Sequence, residues 1–204
     1  MDVIIPIGLR CFTKEILKNK HGVSQSSLPF DYGFFTPESV ISVINFPIVN
    51  YEFPDFNREN HSVCIKNELS DTIEFTDSSY EEIDNYIYNN GYDNKYLDAK
   101  FGYYTLDKKH NFILAHYNWH KIKRDRIYVS IETNLSEINK ILNKRIKRMF
   151  SLCEEANTIT LAHAKSSKDS LIINNTKYNI SYLDPVAHAF ENKFNKKVSI
   201  LQLT

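Results

Sequence analysis

The sequence is poor in glycine, cysteine and tryptophan, and it carries no excess charge of either sign. Its 204 residues include 5 Gly, 3 Cys and 1 Trp, and 25 basic residues balance 25 acidic ones, for a formal net charge of +0. Such a chain has no overall attraction for nucleic acid or an anionic membrane, so neither is an expected partner. An odd number of cysteines without a close pair argues against a disulfide framework and favours a reducing, cytoplasmic compartment.

Long apolar runs and several well-known motifs are also missing. No stretch approaches the roughly 20 apolar residues that cross a bilayer. The short apolar run 3–7 lies between Asp2 and Arg10, which does not fit a secretion signal. The sequence has no phosphate-binding glycine-rich loop, no dinucleotide fingerprint, no GxSxG, no HExxH and no CxxC. We therefore expect no bound metal and no resident cofactor.

The residues that are present predict one globular domain over 1–204. Hydrophobic residues make up 42% and charged residues 25%, which is typical of a folded domain with a single core. The bias towards Asn, Lys, Ile and Tyr is typical of an AT-rich genome. Helical and strand patterns alternate unevenly, so the fold class we expect is α+β, a mixed α/β domain.

The periodic segments predict the following elements. The clearest amphipathic helix is 134–155, and helices are also expected from Cys11, with Phe12, Ile16 and Leu17 on one face, from Thr36 and Pro37, from Ser78 and from Asp184. Strands are expected at 3–7, 62–67, 72–76, 101–106, 111–119, 126–132, 158–164, 171–175 and 177–183, with a buried strand at 198–203. The segment 45–60 mixes prolines and aromatics without a period, which indicates irregular structure.

Cys11 is the first candidate for chemistry. It follows the strand 3–7 and Gly8 and lies at the first turn of the next predicted helix. Unpaired N–H groups at a helix N-terminus favour a thiolate, and Arg10 and Lys14 add positive charge nearby. The alternative is that Cys11 is a small buried core residue.

Downstream residues give Cys11 a family context. IPIGLRCFTKEIL and the later LPFDYGFFTPESV contain Gly8, Cys11, Pro29, Phe30, Asp31 and Tyr32. FILAHYNW places His116 near the end of an apolar strand, and a basic helix (143–152) leads into the strand TITLAHA. This arrangement resembles the family of papain-like cysteine peptidases that was first described as a domain of unknown function, and the resemblance covers most of the chain.

The resemblance implies a central mixed sheet flanked by helices and a thiol hydrolase. In it Cys11 would attack an acyl or amide carbonyl, His116 would transfer the proton, and Asp31 would orient the imidazole. The Cys11 N–H would contribute to the oxyanion site. Arg10, Phe30, Tyr32 and Asn118 are the candidate substrate-binding residues, although Phe30 and Tyr32 also suit packing. The substrate would be a peptide, a protein or a glycan.

The sequence departs from the family pattern at two positions. Tyr32 stands where the family has Trp, and Tyr117 stands where it has Asp directly after the histidine. The second change removes the expected orienting acid, so Asp31 becomes the first choice for that role and Asn118 the second. For Asp31 the alternative is a turn residue that accepts from a local N–H.

Other functions compete with the hydrolase. The Gly-x-x-Cys pattern is also similar to that of capsule-polysaccharide acetyltransferases with a papain-related fold, in which acyl-CoA would be a co-substrate and the basic segment 121–126 would bind its phosphates. A catalytically inactive module that binds a protein or glycan is the third hypothesis. A metal site at His110, His116 and His120 is disfavoured because no acid lies between them.

Overall fold

The computed structural model describes residues 2–9, 11–52, 61–78, 104–115 and 131–204. These residues form four α-helices: α1 (Phe12–His21), α2 (Pro37–Asn45), α3 (Ile131–Glu155) and α4 (Asp184–Phe194). A 3₁₀ helix, η1, covers Pro29–Asp31. The strands are β1 (Asp2–Ile7), β2 (Gly33–Phe34), β3 (His61–Glu68), β4 (Thr72–Ser78), β5 (Tyr104–Asp107), β6 (Phe112–Leu114), β7 (Thr158–Ala164), β8 (Ser170–Ile173), β9 (Thr176–Asn179) and β10 (Lys197–Leu203).

The strands form two sheets. The first is parallel with strand order β1-β7-β10, and the second is mixed with order β2-β6-β5-β3-β4-β8-β9. In the second sheet all pairs are antiparallel except β4 with β8. A single bridge between Leu9 and Phe34 joins the turn after β1 to β2. The predicted α+β class is confirmed, with the strands divided between two sheets.

The strands β1 and β7 of the parallel sheet are covered on both faces. On β1, Val3, Ile5 and Ile7 face the main core, whereas Ile4 packs in a smaller cluster with Leu17 of α1. β7 alternates in the same way: Ile159 and Leu161 lie in the main core and Ala162 and Ala164 in the cluster under α1. The main core also takes the apolar stripe of α3: Leu135, Ile138, Leu142, Ile146, Met149 and Cys153.

Local signals in the sequence explain several boundaries. Thr36 caps α2, since its Oγ1 accepts from the Ser39 N–H at 3.0 Å, and Pro37 occupies the first helical position. The hairpin of β8 and β9 turns at Asn174 and Asn175, both with positive φ (46° and 66°), as a two-residue type I′ turn requires. The predicted helices from Cys11, Thr36 and Asp184 and over 134–155 are confirmed.

Some predictions about elements were wrong, and others fall on residues that the structure does not describe. Ile131 and Glu132 belong to α3 and not to a strand, and the rest of 126–132 lies outside the described residues. Ser78 ends β4; the helix expected to follow it also lies outside the described residues. Phe12 is 48% exposed, and Thr13 takes the buried position beside Leu17. β10 forms as predicted but is an edge strand of which only Leu203 is buried.

Within the described parts of the chain, no helix combines the length and the apolar character that crossing a bilayer requires.

Candidate active site

The candidate site lies where β1 leads into α1. β1 ends at Ile7, and Gly8 turns the chain with φ of +142°, a conformation that side chains rarely adopt. Cys11 occupies the N-cap position of α1, and its carbonyl accepts from the Glu15 N–H at 2.9 Å. Its side chain makes no capping hydrogen bond to the helix. Cys11 is therefore held at the carboxyl end of a parallel strand, where open α/β sheets commonly place their ligand sites.

Thr13 fixes the first turn of α1 to two strands. Its buried hydroxyl donates to the Ile7 carbonyl at 3.0 Å and accepts from the Ala164 N–H at 3.2 Å. Both backbone groups belong to strand ends, those of β1 and β7. This hydroxyl satisfies polar groups at the end of the sheet and sets where α1 begins relative to β7. The sequence does not indicate this role, because it depends on contacts of Thr13 with β1 and β7, which are distant in the chain or in another element.

The three cysteines differ sharply in exposure. Cys64 and Cys153 are fully buried, whereas Cys11 is partly exposed. Burial raises the pKa of the Cys64 thiol far above its ordinary range, and Asp77 adds to that shift. Burial also raises the pKa of Cys153 to about 12, with a smaller effect from Glu154. These two thiols are protonated and shielded at neutral pH, and Cys11 is the most exposed of the three cysteines.

Asp31 and Lys14 form an ion pair beside α1. Lys14 Nζ lies 2.8 Å from Asp31 Oδ2, and the Asp31 side chain is 0% exposed against 19% for Lys14. The same oxygen accepts from the Leu28 N–H at 2.8 Å, and Lys14 also donates to Ser27 Oγ at 2.9 Å. Lys14 therefore does not supply uncompensated positive charge to Cys11, because Asp31 neutralises it.

The two roles proposed for Asp31 have different outcomes. The alternative from the sequence, a carboxylate that accepts from a local N–H, is confirmed by the Leu28 contact. Asp31 Oδ1 is buried and accepts no hydrogen bond from any described residue. His116, which Asp31 is predicted to orient, lies outside the described residues, so that role stays a prediction.

The candidate substrate-binding residues fall into three groups. Phe30 is 1% exposed and packs edge-on against Phe35 at a centroid distance of 5.1 Å, which favours its packing role over substrate contact. Tyr32 is partly exposed, with Lys14 Nζ at 5.5 Å and the Arg145 guanidinium at 5.1 Å from its ring centroid. Arg10 and Asn118 lie outside the described residues, as does the basic segment 121–126.

His163 is a site neighbour that the sequence analysis missed. It lies opposite Ile7 in the pairing of β1 with β7 and is 3% exposed. A Cβ atom on Gly8 would approach its Cδ2 at 3.5 Å and its Nε2 at 3.8 Å. The sequence did contain a signal, because Leu-Ala-His ends both FILAH (112–116) and TITLAH (158–163).

The hydrogen bonds of His163 define its protonation. Gln202 Nε2 donates to His163 Nδ1 at 3.3 Å and to the His163 carbonyl at 3.2 Å. Because the second bond fixes the amide orientation, the neutral ring carries its proton on Nε2, on the side of Gly8. Burial lowers the pKa of His163, and the bond with Gln202 opposes that shift. His163 is thus a neutral N–H donor at pH 7, which suits a positioning role better than that of a general base.

His110, one of three histidines considered for a metal, is occupied. Its Nε2 donates to the Ile48 carbonyl at 2.8 Å, and its Nδ1 accepts from the Ser42 hydroxyl at 2.8 Å. The ring has no nitrogen left for a metal ion. No cluster of three or more His, Cys, Asp or Glu side chains able to hold a metal occurs in the part of the chain that the structure describes.

Comparison with known proteins adds no family assignment. No model of a known protein family matches the chain, and neither the curated proteins nor the solved structures yield a significant match. The papain-like resemblance therefore depends on the quoted motifs around Cys11, Asp31 and His116.

Proposed function

We propose that the protein is a thiol-dependent hydrolase in which Cys11 is the nucleophile, His116 the general base and acid, and Asp31 the residue that orients His116. The observation that carries this proposal is the placement of Cys11: it is the partly exposed cysteine of the three, at the N-cap of α1 and at the carboxyl end of β1. A thiol in that position gains from the helix dipole when it ionises.

The reaction would proceed in two acyl-transfer steps. The Cys11 thiolate attacks the carbonyl carbon of an amide or ester, the C–N or C–O bond breaks, and the leaving amine or alcohol takes the proton held by His116. Water, deprotonated by His116, then attacks the thioester carbon, releases a carboxylic acid and restores the thiol. The Cys11 N–H is the proposed oxyanion donor, because it lies at the N-terminus of α1, where the helix dipole favours negative charge.

An acyltransferase is the second candidate, and it differs only in the acceptor. A sugar hydroxyl would replace water in the second step and give an ester, with acyl-CoA as donor in the first. Lys165 and Lys168 lie beside the turn after β1, where a phosphate-bearing donor could be bound. Hydrolysis of esters or peptides in the absence of any acceptor favours the hydrolase; acyl-CoA consumption that requires an added glycan favours the transferase.

The decisive test is the pH dependence of Cys11 alkylation by iodoacetamide, mapped by mass spectrometry between pH 5 and 9. We expect a midpoint well below the value of about 8.5 for an ordinary thiol, and a return to that value in His116→Ala. Cys64 and Cys153 serve as internal controls in the same samples, and both should stay unreactive in the folded protein because they are buried.

Two further histidine variants sharpen this test. His188→Ala is the matched control, because its side chain is 76% exposed on α4, and it should leave the midpoint unchanged. If His163→Gln shifts the midpoint and His116→Ala does not, the nucleophile stands and the proposed base is wrong. If the midpoint equals that of an ordinary thiol and neither variant moves it, catalysis at Cys11 is refuted and the binding-module hypothesis takes its place.

A further inference from the structure

A pocket opens beside the turn that carries Cys11. It has a volume of about 300 Å³, and its apolar walls are Leu9, Phe12, Phe34 and Ile73. We call the cavity that these four residues line the aromatic pocket. Leu9 and Phe12 lie two residues before and one residue after Cys11, and consecutive Cα atoms are about 3.8 Å apart. The pocket thus begins at the residues that flank the proposed nucleophile.

The two aromatic walls differ in packing and exposure. Phe34 is 1% exposed and packs edge-on against Phe75 and Tyr104, at centroid distances of 4.9 and 5.5 Å. That wall is fixed by the core of the second sheet. Phe12 is 48% exposed in the first turn of α1, a position that a polar residue could fill without loss of packing. A large aromatic side chain left half-exposed at the mouth of a pocket is suited to contact with a ligand.

The rim of the pocket adds charge. Lys165 and Glu68 are exposed, and Lys168 is held at the rim by hydrogen bonds from its Nζ to the carbonyls of Leu69 and Ser70. Because Glu68 is already paired with Lys66, the two lysines leave the rim with an excess of positive charge, which favours a neutral or anionic group over a cationic one.

We propose that the aromatic pocket binds an aromatic acyl group or side chain, neutral or anionic, of the substrate that Cys11 attacks. This proposal rests on the proposed function. The pocket volume is at the lower end of the range of about 300–1,000 Å³ for ligand sites, so it suits one ring and its linker. Two phenyl walls favour an aromatic ring over an alkyl chain, since ring pairs add to simple burial.

The test compares two alkylating reagents that differ by one ring. Iodoacetamide and its N-phenyl derivative react in the same way: the thiolate sulfur bonds to the CH₂ carbon and iodide leaves. We expect the rate ratio of phenyl to parent reagent at Cys11 to exceed the ratio for glutathione by about tenfold. Phe12→Ala should bring the ratio to within about twofold of glutathione. Phe46→Ala, with a phenylalanine 59% exposed at the end of α2, is the matched control and should retain the full ratio.

The outcomes separate this proposal from the proposed function. Both reagents use the same thiolate, so their ratio at one pH does not depend on the pKa of Cys11, whereas the pH midpoint does. A ratio equal to that of glutathione overturns the aromatic pocket even when the midpoint is depressed. A raised ratio with an ordinary midpoint supports the pocket and refutes the catalytic role. A 4-trimethylammonio-phenyl reagent that reacts as fast as the phenyl reagent would overturn the preference against cations.

Discussion

Loss of the Lys14–Asp31 ion pair should destabilise the protein unequally, depending on which partner is removed. Lys14→Met leaves the Asp31 carboxylate, which is 0% exposed, with the Leu28 N–H as its one donor among the described residues. Removing one partner of a buried pair costs about 3–5 kcal/mol. Because Lys14 is 19% exposed and the Leu28 bond remains, we expect the lower end, about 3 kcal/mol.

The opposite change should cost less. Asp31→Asn keeps the shape of the side chain and an oxygen that accepts from Leu28, and Lys14 can turn towards solvent. We expect a loss of about 1–2 kcal/mol. The double variant should lose clearly less free energy of unfolding than the two single variants combined, with a coupling energy of at least about 1 kcal/mol. The reason is that Asp31→Asn removes the buried charge that Lys14→Met would leave unpaired.

Urea unfolding followed by far-UV circular dichroism measures these differences. Lys18→Met, at an exposed position of the same helix, is the matched control and should stay within about 0.5 kcal/mol of the parent protein. In thermal unfolding, the loss in Lys14→Met corresponds to a decrease in Tm of about 6 to 12 °C for a chain of this length. If Lys14→Met unfolds like Lys18→Met, or if the two single losses add without coupling, the ion pair does not hold η1 against α1.

Two further predictions concern the turn after β1. Gly8→Ala should destabilise the protein by about 1–3 kcal/mol, since the φ of +142° is strained for alanine and its Cβ would lie 3.0 Å from Thr13 Oγ1. Gly22→Ala is the control, because Gly22 has a φ of +66° and nothing within 4 Å of the added Cβ. It should cost about 1 kcal/mol or less in the same unfolding assay. Burial lowers the pKa of His163, so the neutral ring stabilises the fold above about pH 6.5 and that contribution is lost as pH falls. The parent protein should therefore exceed His163→Gln in free energy of unfolding by more at pH 7.5 than at pH 5. An equal difference at the two pH values would contradict the lowered pKa of His163.

Elements with strong local signals could be predicted from the sequence. The stripe of α3 repeats at three and four residues, and Thr36 and Pro37 mark the start of α2. The two asparagines between β8 and β9 are a signal of the same kind, although the predicted strand 171–175 included both. Each signal depends on contacts within a few residues, so no knowledge of the fold is needed to read it. The position of Cys11 at the start of α1 belongs to this group.

What could not be predicted depends on long-range packing. Thr13 is buried because the ends of β1 and β7 require a hydroxyl there, and its neighbours in sequence do not show that need. The exposure of β10 follows from its place at the edge of the parallel sheet, whereas its apolar sequence resembles that of an internal strand. His163 comes near Gly8 only through the pairing of β1 with β7.

Several polar contacts converge on the first turn of α1, and this concentration supports the assignment of the site. The Thr13 hydroxyl ties the turn to two strands, the Lys14–Asp31 pair ties it to η1, and Gly8 is held in a conformation that few residues adopt. Apolar residues could anchor a helix with equal or greater stability, since a buried ion pair gives little net stability and the loss of one partner is strongly destabilising. Departures from the most stable solution concentrate where proteins have a functional demand to meet. Here they lie next to Cys11 in the chain, the partly exposed cysteine of the three, and the proposed nucleophile would require such a fixed position.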